Sequence, residues 1–214
     1  MKFFLDTANT NEIISAAEMG FLDGVTTNPS LVAQTGKSYS QVVKEICEIC
    51  PGPVSAEVLA TDYKGIMTEA RAWSKVAKNV VVKIPLIAEG LKAVQTCSQE
   101  GIFTNVTLCF SATQALLTAK AGATFISPFL GRIDDMTYDG MQLIEEMRTI
   151  CHHYDFKTLI LAASIRHPLH VKQAALLGAD VVTLPIKVLQ QLMQHHLTDS
   201  GLQKFLQDAA KIPQ

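Results

Sequence analysis

The chain has 214 residues, with 18 Lys and Arg against 20 Asp and Glu, hence a formal net charge of −2. That balance, with a pI near 6.3, excludes nucleic-acid binding by bulk electrostatics, which requires a clearly basic surface. Apolar residues make up 48% and charged residues only 18%, so disorder is excluded and apolar surface must be hidden in a large core, in subunit contacts, or both.

In chain order, β-type runs alternate with stretches of helical period. A strand over 2–5 leads to a helix over 11–19, a strand over 24–27 to a helix over 39–50, and a strand over 53–60 to a helix over 63–77. The pattern continues with a strand over 79–85 and helix over 89–99, then a strand over 102–109 and helix over 112–119. Three further pairs follow, at 124–129 and 138–152, 158–163 and 168–177, and 180–185 and 186–195. Strand centres such as Val80-Val81-Val82 and Leu159-Ile160-Leu161 are unbroken apolar runs, as expected of strands buried on both faces. Glycines 101, 122 and 178 stop helices just before strands. Eight strand–helix units predict an α/β chain with a parallel sheet closed as a single (β/α)8 barrel spanning 1–214. An open doubly wound sheet is the alternative, but no G-x-G-x-x-G follows the first strand. A last helical segment over 201–211 lies beyond the eighth unit and is free to pack elsewhere.

The longest charge-free stretch, between Glu100 and Lys120, carries Thr104, Asn105, Thr107, Ser111, Thr113, Gln114 and Thr118. No hydrocarbon-facing helix would carry these, so no membrane partner is expected. The opening Met1-Lys2-Phe3-Phe4-Leu5-Asp6 is too short an apolar run for a signal peptide. Five cysteines, an odd number in a chain that needs no staples, fit a reducing cytoplasm. Cys47 and Cys50 form a lone C-x-x-C with no second pair, which reads as two buried or half-exposed thiols and not as zinc ligands.

In such a barrel the reactive side chains project from the C-terminal strand ends. Asp6 ends the first strand, Asn28 closes the turn after the second, and Glu57 interrupts the third. Lys83 sits in the apolar fourth strand. Asn105 and Thr107 share a face of the fifth, and Ser127 and Phe129 a face of the sixth. Burial of an amine disfavours its ammonium form, and a neutral amine attacks a carbonyl to form a Schiff base. An isolated strand lysine more often snorkels to solvent or to an acid. Asp6 and Glu57 on the same rim tilt the reading toward chemistry, since imine steps need groups that move protons. A buried ion pair with Lys83 is the other use for those acids. Arg132 after the sixth strand, with Ser164 and Arg166 after the seventh, reads as an anion site. Forked guanidinium donors suit a phosphate, and barrel enzymes often bind phosphate at their late loops. His152, His153, His195 and His196 have no acid at ligand spacing, so no metal is expected.

All of the candidate residues but Glu57 lie in six ordered blocks: Phe-Leu-Asp6-Thr-Ala, Gly-Val-Thr-Thr-Asn28-Pro-Ser, Val-Val-Lys83-Ile-Pro, Asn105-Val-Thr107-Leu, Ser127-Pro-Phe129 through Arg132-Ile-Asp, and Ala-Ala-Ser164-Ile-Arg166. Over its whole length the chain resembles the transaldolases, in particular the short subfamily that also contains fructose-6-phosphate aldolase. The resemblance implies a Schiff base on Lys83, proton transfer by Asp6 where the carbon–carbon bond breaks, and a relay water held by Glu57 and Thr107. It implies that Asn28, Asn105 and Ser127 bind the dihydroxyacetone unit and that Arg132, Ser164 and Arg166 bind the sugar phosphate. No metal or organic cofactor is implied. Transaldolases carry Glu and Phe where the aldolase branch looks like Gln and Tyr, and Glu57 with Phe129 follows the first pattern. The expected activity is therefore transfer of a dihydroxyacetone unit between sugar phosphates in the non-oxidative pentose phosphate pathway. The alternatives are fructose-6-phosphate aldolase, releasing free dihydroxyacetone, and a catalytically silent sugar-phosphate-binding barrel. Resemblance further implies a homo-oligomer, a pentamer or decamer, with the terminal helix reaching a neighbour.

Overall fold

The computed structural model describes residues 1–212. Its strands are β1 (Lys2–Asp6), β2 (Gly24–Thr26), β3 (Val54–Glu57), β4 (Val80–Pro85), β5 (Thr104–Cys109), β6 (Phe125–Pro128), β7 (Leu159–Ala162) and β8 (Val181–Leu184). All pair in parallel in chain order and β8 returns to β1, so the expected (β/α)8 barrel is what forms. The helices are α1 (Thr10–Glu18), α2 (Pro29–Ala33), α3 (Tyr39–Ile49), α4 (Tyr63–Trp73), α5 (Ala88–Gln99), α6 (Ala112–Lys120), α7 (Leu130–Asp134), α8 (Gly140–His153), α9 (Pro168–Leu176), α10 (Ile186–Leu192) and α11 (His196–Ala209).

The structure corrects several boundaries. Two short helices, α2 and α7, occupy loops after β2 and β6 that the alternation leaves unassigned. Asn28 starts the first by accepting the Leu31 N–H at 3.0 Å, with Pro29 as the opening helical residue. Arg132 therefore lies on α7 and not in an open loop. β3 ends at Glu57, well short of position 60, because Leu59 N–H turns away to the Glu69 carboxylate at 2.6 Å. Phe129 lies just past the end of β6, joined to Ala163 by a single bridge. The terminal helix begins at His196, earlier than expected, where the His195 imidazole accepts the Leu197 N–H at 3.2 Å.

Alternation along each strand sets what the barrel holds. Phe4, Val81, Phe125, Leu161 and Val181 turn inward and pack together as an apolar plug, with the Phe4 and Phe125 rings edge-on at 6.0 Å between centroids. Two residues further along, the same inward faces carry Asp6, Lys83, Ser127, Ala163 and Thr183. The barrel is thus dry at its base and polar above. Gly24 makes room for the plug, since a Cβ there would lie 2.6 Å from the Phe4 ring and 2.7 Å from the Pro53 carbonyl oxygen. The outward faces of the strands meet the helices in the main core, with Ile13, Ile46, Ile126, Ile144, Met147 and Ile160 buried between the layers.

The terminal helix does not join this core. None of the α11 residues is buried, and Leu202, Phe205 and Leu206 form an exposed apolar stripe at helical spacing. Among the described residues, no helix is long and apolar enough to cross a membrane. All five cysteines are free; Cys50 is buried and Cys47 half-buried, and burial pushes the Cys47 thiol up to about 11. Replacing Phe4 by Ala empties the centre of the plug and should cost about 3–5 kcal/mol. Urea unfolding that shows a change below about 1 kcal/mol would mean that the plug carries little of the fold.

Candidate active site

Lys83 stands at the inward face of β4 with its side chain 7% exposed, between Glu57 on β3 and Asn105 on β5. Its Nζ donates to Glu57 Oε2 at 3.0 Å and to the Thr27 carbonyl oxygen at 3.1 Å. The ion pair read from sequence as an alternative use for the acids is therefore present with Glu57, inside the barrel. Above it opens a cavity of about 220 Å³ lined by Asp6, Asn28, Lys83, Ser127, Phe129, Arg132, Ser164 and Arg166, with Thr26, Ala163 and Thr183 completing the wall. Eight of the eleven residues singled out from sequence thus share one wall. The other three stand behind it. Glu57 holds Lys83; Asn105, fully buried, accepts from Ser127 Oγ at 2.7 Å and donates to Ser55 Oγ at 3.1 Å. Thr107 is buried, and its Oγ1 has no protein hydrogen-bond partner among the described residues. It sits beside a register shift in β5, where Leu108 takes a left-handed φ of 62°.

Asp6 accepts the Thr26 hydroxyl at 2.8 Å, and Thr26 Oγ1 lies 2.6 Å from Thr183 Oγ1. Desolvation by the barrel wall pushes the Asp6 carboxyl above the usual aspartate range, and the Lys83 charge only partly offsets it. Such a carboxyl takes up a proton more readily than a solvated one. The cationic side of the cavity differs in kind. Arg132 is exposed and lies 5.0 Å from the centre of the Phe129 ring. Arg166, also exposed, donates to Asp135 at 2.8 Å. Between them Ser164 adopts a left-handed φ of 59°, a strained backbone of the kind found at ligand-binding positions.

Sequence reasoning misses Thr26, Thr183 and Tyr39. The threonines carry a signal, being polar residues on inward strand faces within the alternation. Tyr39 carries none, since it reads as the first residue of α3. In the barrel its hydroxyl accepts the Glu57 backbone N–H at 2.7 Å and lies 3.3 Å from Thr27 Oγ1, while its ring packs edge-on to Trp73 at 5.0 Å. It fills the gap where β2 stops short of β3 and fixes both groups that hold Lys83. A larger cavity of about 650 Å³ opens beside the first, around Thr7, Asn9, Gln34 and Lys187, and shares only Asp6 with the predicted set. Among the described residues, no group of three or more His, Cys, Asp or Glu side chains is placed to hold a metal ion.

Residues 3–213 match the family model described as Transaldolase/Fructose-6-phosphate aldolase. The chain is 60% identical over 213 residues to a probable transaldolase of Anaeromyxobacter sp. (strain Fw109-5), covering 100% of this chain and 99% of that one. It is 59% identical to a probable transaldolase of Leptospira biflexa, with 99% of each covered, and 56% identical to one of Aquifex aeolicus, with 100% and 99% covered. Among solved structures, inosine 5′-monophosphate dehydrogenase of Legionella pneumophila superposes with a TM-score of 0.61 at 14% identity, covering 88% of this chain and 58% of that one. That likeness concerns the barrel alone.

A folded-state pKa raised above the unfolded value means that the Asp6 contribution to stability is intact below about pH 4 and is lost as pH rises through the folded pKa. Asp6→Asn should therefore stabilise the fold relative to wild type at about pH 7.5, and the gain should shrink as pH falls toward about 4. Thermal unfolding across that range checks it; a gain that grows toward acid would contradict the shift.

Proposed function

The chain belongs to the transaldolase/fructose-6-phosphate aldolase family, and from that premise we propose that it is a transaldolase whose chemistry runs through Lys83. The observation that carries the reading is a buried amine paired with Glu57 and opening on a cavity with a protonatable carboxyl on one side and two guanidinium groups on the other. Proton transfer from Nζ toward Glu57 frees the lone pair, which adds to the C2 carbonyl of a ketose phosphate; loss of water leaves an iminium ion. The C3–C4 bond then breaks. Its electrons move into the iminium to give an enamine, the C4 hydroxyl proton passes to Asp6, and an aldose phosphate departs. The enamine attacks the aldehyde carbon of an acceptor, Asp6 returns the proton to the new hydroxyl, and water hydrolyses the imine. Glu57 with the otherwise unpartnered Thr107 hydroxyl suits a relay water for the first and last steps. Asn28 and Ser127 hold the dihydroxyacetone unit, Asn105 acting through the Ser127 hydroxyl it accepts, and Arg132, Ser164 and Arg166 take the phosphate.

Phe129 supports transfer over cleavage. A ring without a hydroxyl beside the cavity gives no extra proton donor there, so the enamine waits for an acceptor aldehyde instead of leaving as free dihydroxyacetone. We assign the protein to a reducing cytoplasm, where free thiols persist. We also assign it to a homo-oligomer, pentamer or decamer, in which the apolar stripe of α11 is covered by a second copy of the chain.

Borohydride reduction in the presence of fructose 6-phosphate should fix a three-carbon adduct on wild type and none on Lys83→Ala; persistent labelling of the variant removes Lys83 from the role. In a coupled assay, product should form only when an acceptor aldehyde is supplied, and free dihydroxyacetone without acceptor would assign the aldolase activity instead. Sedimentation should show an assembly that Phe205→Glu weakens, whereas a wild-type monomer would leave α11 without its proposed cover.

A further inference from the structure

His170 is 4% exposed yet lines no part of the cavity. It lies on α9, one turn beyond Arg166, and both of its ring nitrogens are engaged. Nδ1 accepts the Arg166 backbone N–H at 3.3 Å. Nε2 lies 2.8 Å from Asp134 Oδ2, on the neighbouring loop after β6. The first bond makes Nδ1 the acceptor, so Nε2 carries the proton and donates to the carboxylate. The other Asp134 oxygen accepts the Gly140 N–H at 2.9 Å, anchoring it to the start of α8. Desolvation, and then the His167 ring with centroids 3.8 Å apart, lower the His170 pKa and favour this neutral form.

The imidazole therefore spans two loops that bear different halves of the anion site, Arg132 on one and Ser164 with Arg166 on the other. The same loops are joined deeper down by backbone bonds, Leu130 N–H to the Ala163 oxygen and Gly131 N–H to the Ser164 oxygen, both at 3.1 Å. Their approach is close enough that a Cβ on Gly131 would lie 2.3 Å from the Ser164 oxygen and 2.6 Å from Arg166 Nε. Those backbone bonds stop before Arg166. Beyond them, the Arg166 N–H is held by His170, and its guanidinium rests on Asp135, an exposed contact of little strength.

We propose that His170 is a positioning residue for phosphate recognition: through its bonds to Asp134 and to the Arg166 backbone it fixes the distance between the two arginines that grip the substrate phosphate. The proposal rests on the transaldolase reading of the cavity, and it assigns His170 no contact with substrate. Its effect falls on the phosphate end and spares the Lys83 end, so it should depend on whether the substrate carries a phosphate.

In a ping-pong reaction, kcat/KM for the acceptor reports only the half-reaction that the acceptor enters. With fructose 6-phosphate as donor, His170→Ala should lower kcat/KM for erythrose 4-phosphate by about 10- to 100-fold, the range for a lost buried hydrogen bond. For unphosphorylated erythrose it should change by less than about 3-fold. An equal loss on both acceptors, or no loss on either, overturns the proposal. Two conservative variants decide the matter if the alanine form does not fold. Asn places an acceptor where Nδ1 stands and keeps the Arg166 bond; Gln reaches toward Asp134 and loses it. His170→Asn should exceed His170→Gln on the phosphorylated acceptor, and the reverse order is adverse. Calorimetric binding of inorganic phosphate, which needs no turnover, should weaken from wild type to His170→Ala. Weaker phosphate binding in a protein whose wild type transfers to neither acceptor would uphold the positioning role and overturn the transaldolase reading instead.

Discussion

A lysine and a glutamate placed 3.0 Å apart inside a closed barrel impose the central constraint on this chain. Taking each ion out of water costs several kcal/mol even after relaxation, and pairing recovers that only when further hydrogen bonds complete the shell. The shell is built here from backbone and from a distant side chain. Thr27 lends a carbonyl to Nζ, and Tyr39 ties down the glutamate strand at its own N–H. What lies below must then be free of competing polarity, which is the work of the plug around Phe4 and Phe125. One alternation rule, applied on neighbouring strands, yields an apolar base and a charged rim without any change of fold.

The two ends of the cavity are stabilised by different means. At the amine end, rigid strand residues set the geometry and nearly every polar atom is buried and bonded. At the anion end, the arginine heads are exposed and one rests on a solvated carboxylate. Under the proposed function that end accepts successive phosphates and must release each one, so weak, replaceable partners at the guanidinium suit it better than buried ones. Precision there is confined to the backbone, in the joined loops and in the residues that hold them.

The fold is legible in the sequence because parallel strands buried on both faces read as unbroken apolar runs, and because helices between them show a clear period. What escapes notice is short or long-range. Pro29–Ala33 and Leu130–Asp134 are five residues each, too short for periodicity, although Asn28 before Pro29 is a helix-start signal in its own right. At the site, Lys83, Asp6 and Glu57 stand out because charge is rare in an apolar strand. Tyr39 and His170 do not, since aromatic and imidazole side chains on helices are ordinary, and only the closed barrel brings Tyr39 to Glu57. The sequence places the start of the terminal helix at 201, five residues late, because nothing local separates its first turn from the end of α10. Its apolar stripe is visible in either reading.

The left-handed backbone at Ser164 sets stability against activity at a single atom. A serine in that conformation costs about 1 kcal/mol or more that glycine would avoid. A campaign selecting only for heat resistance would accept glycine there, because the relaxed backbone keeps the carbonyl bond to Gly131 intact. The same exchange deletes a hydroxyl donor from the cavity wall that Arg132 and Arg166 also line. Under the proposed function, thermal tolerance and phosphate binding would then move in opposite directions from one substitution, and a screen that scores melting alone would choose the poorer enzyme.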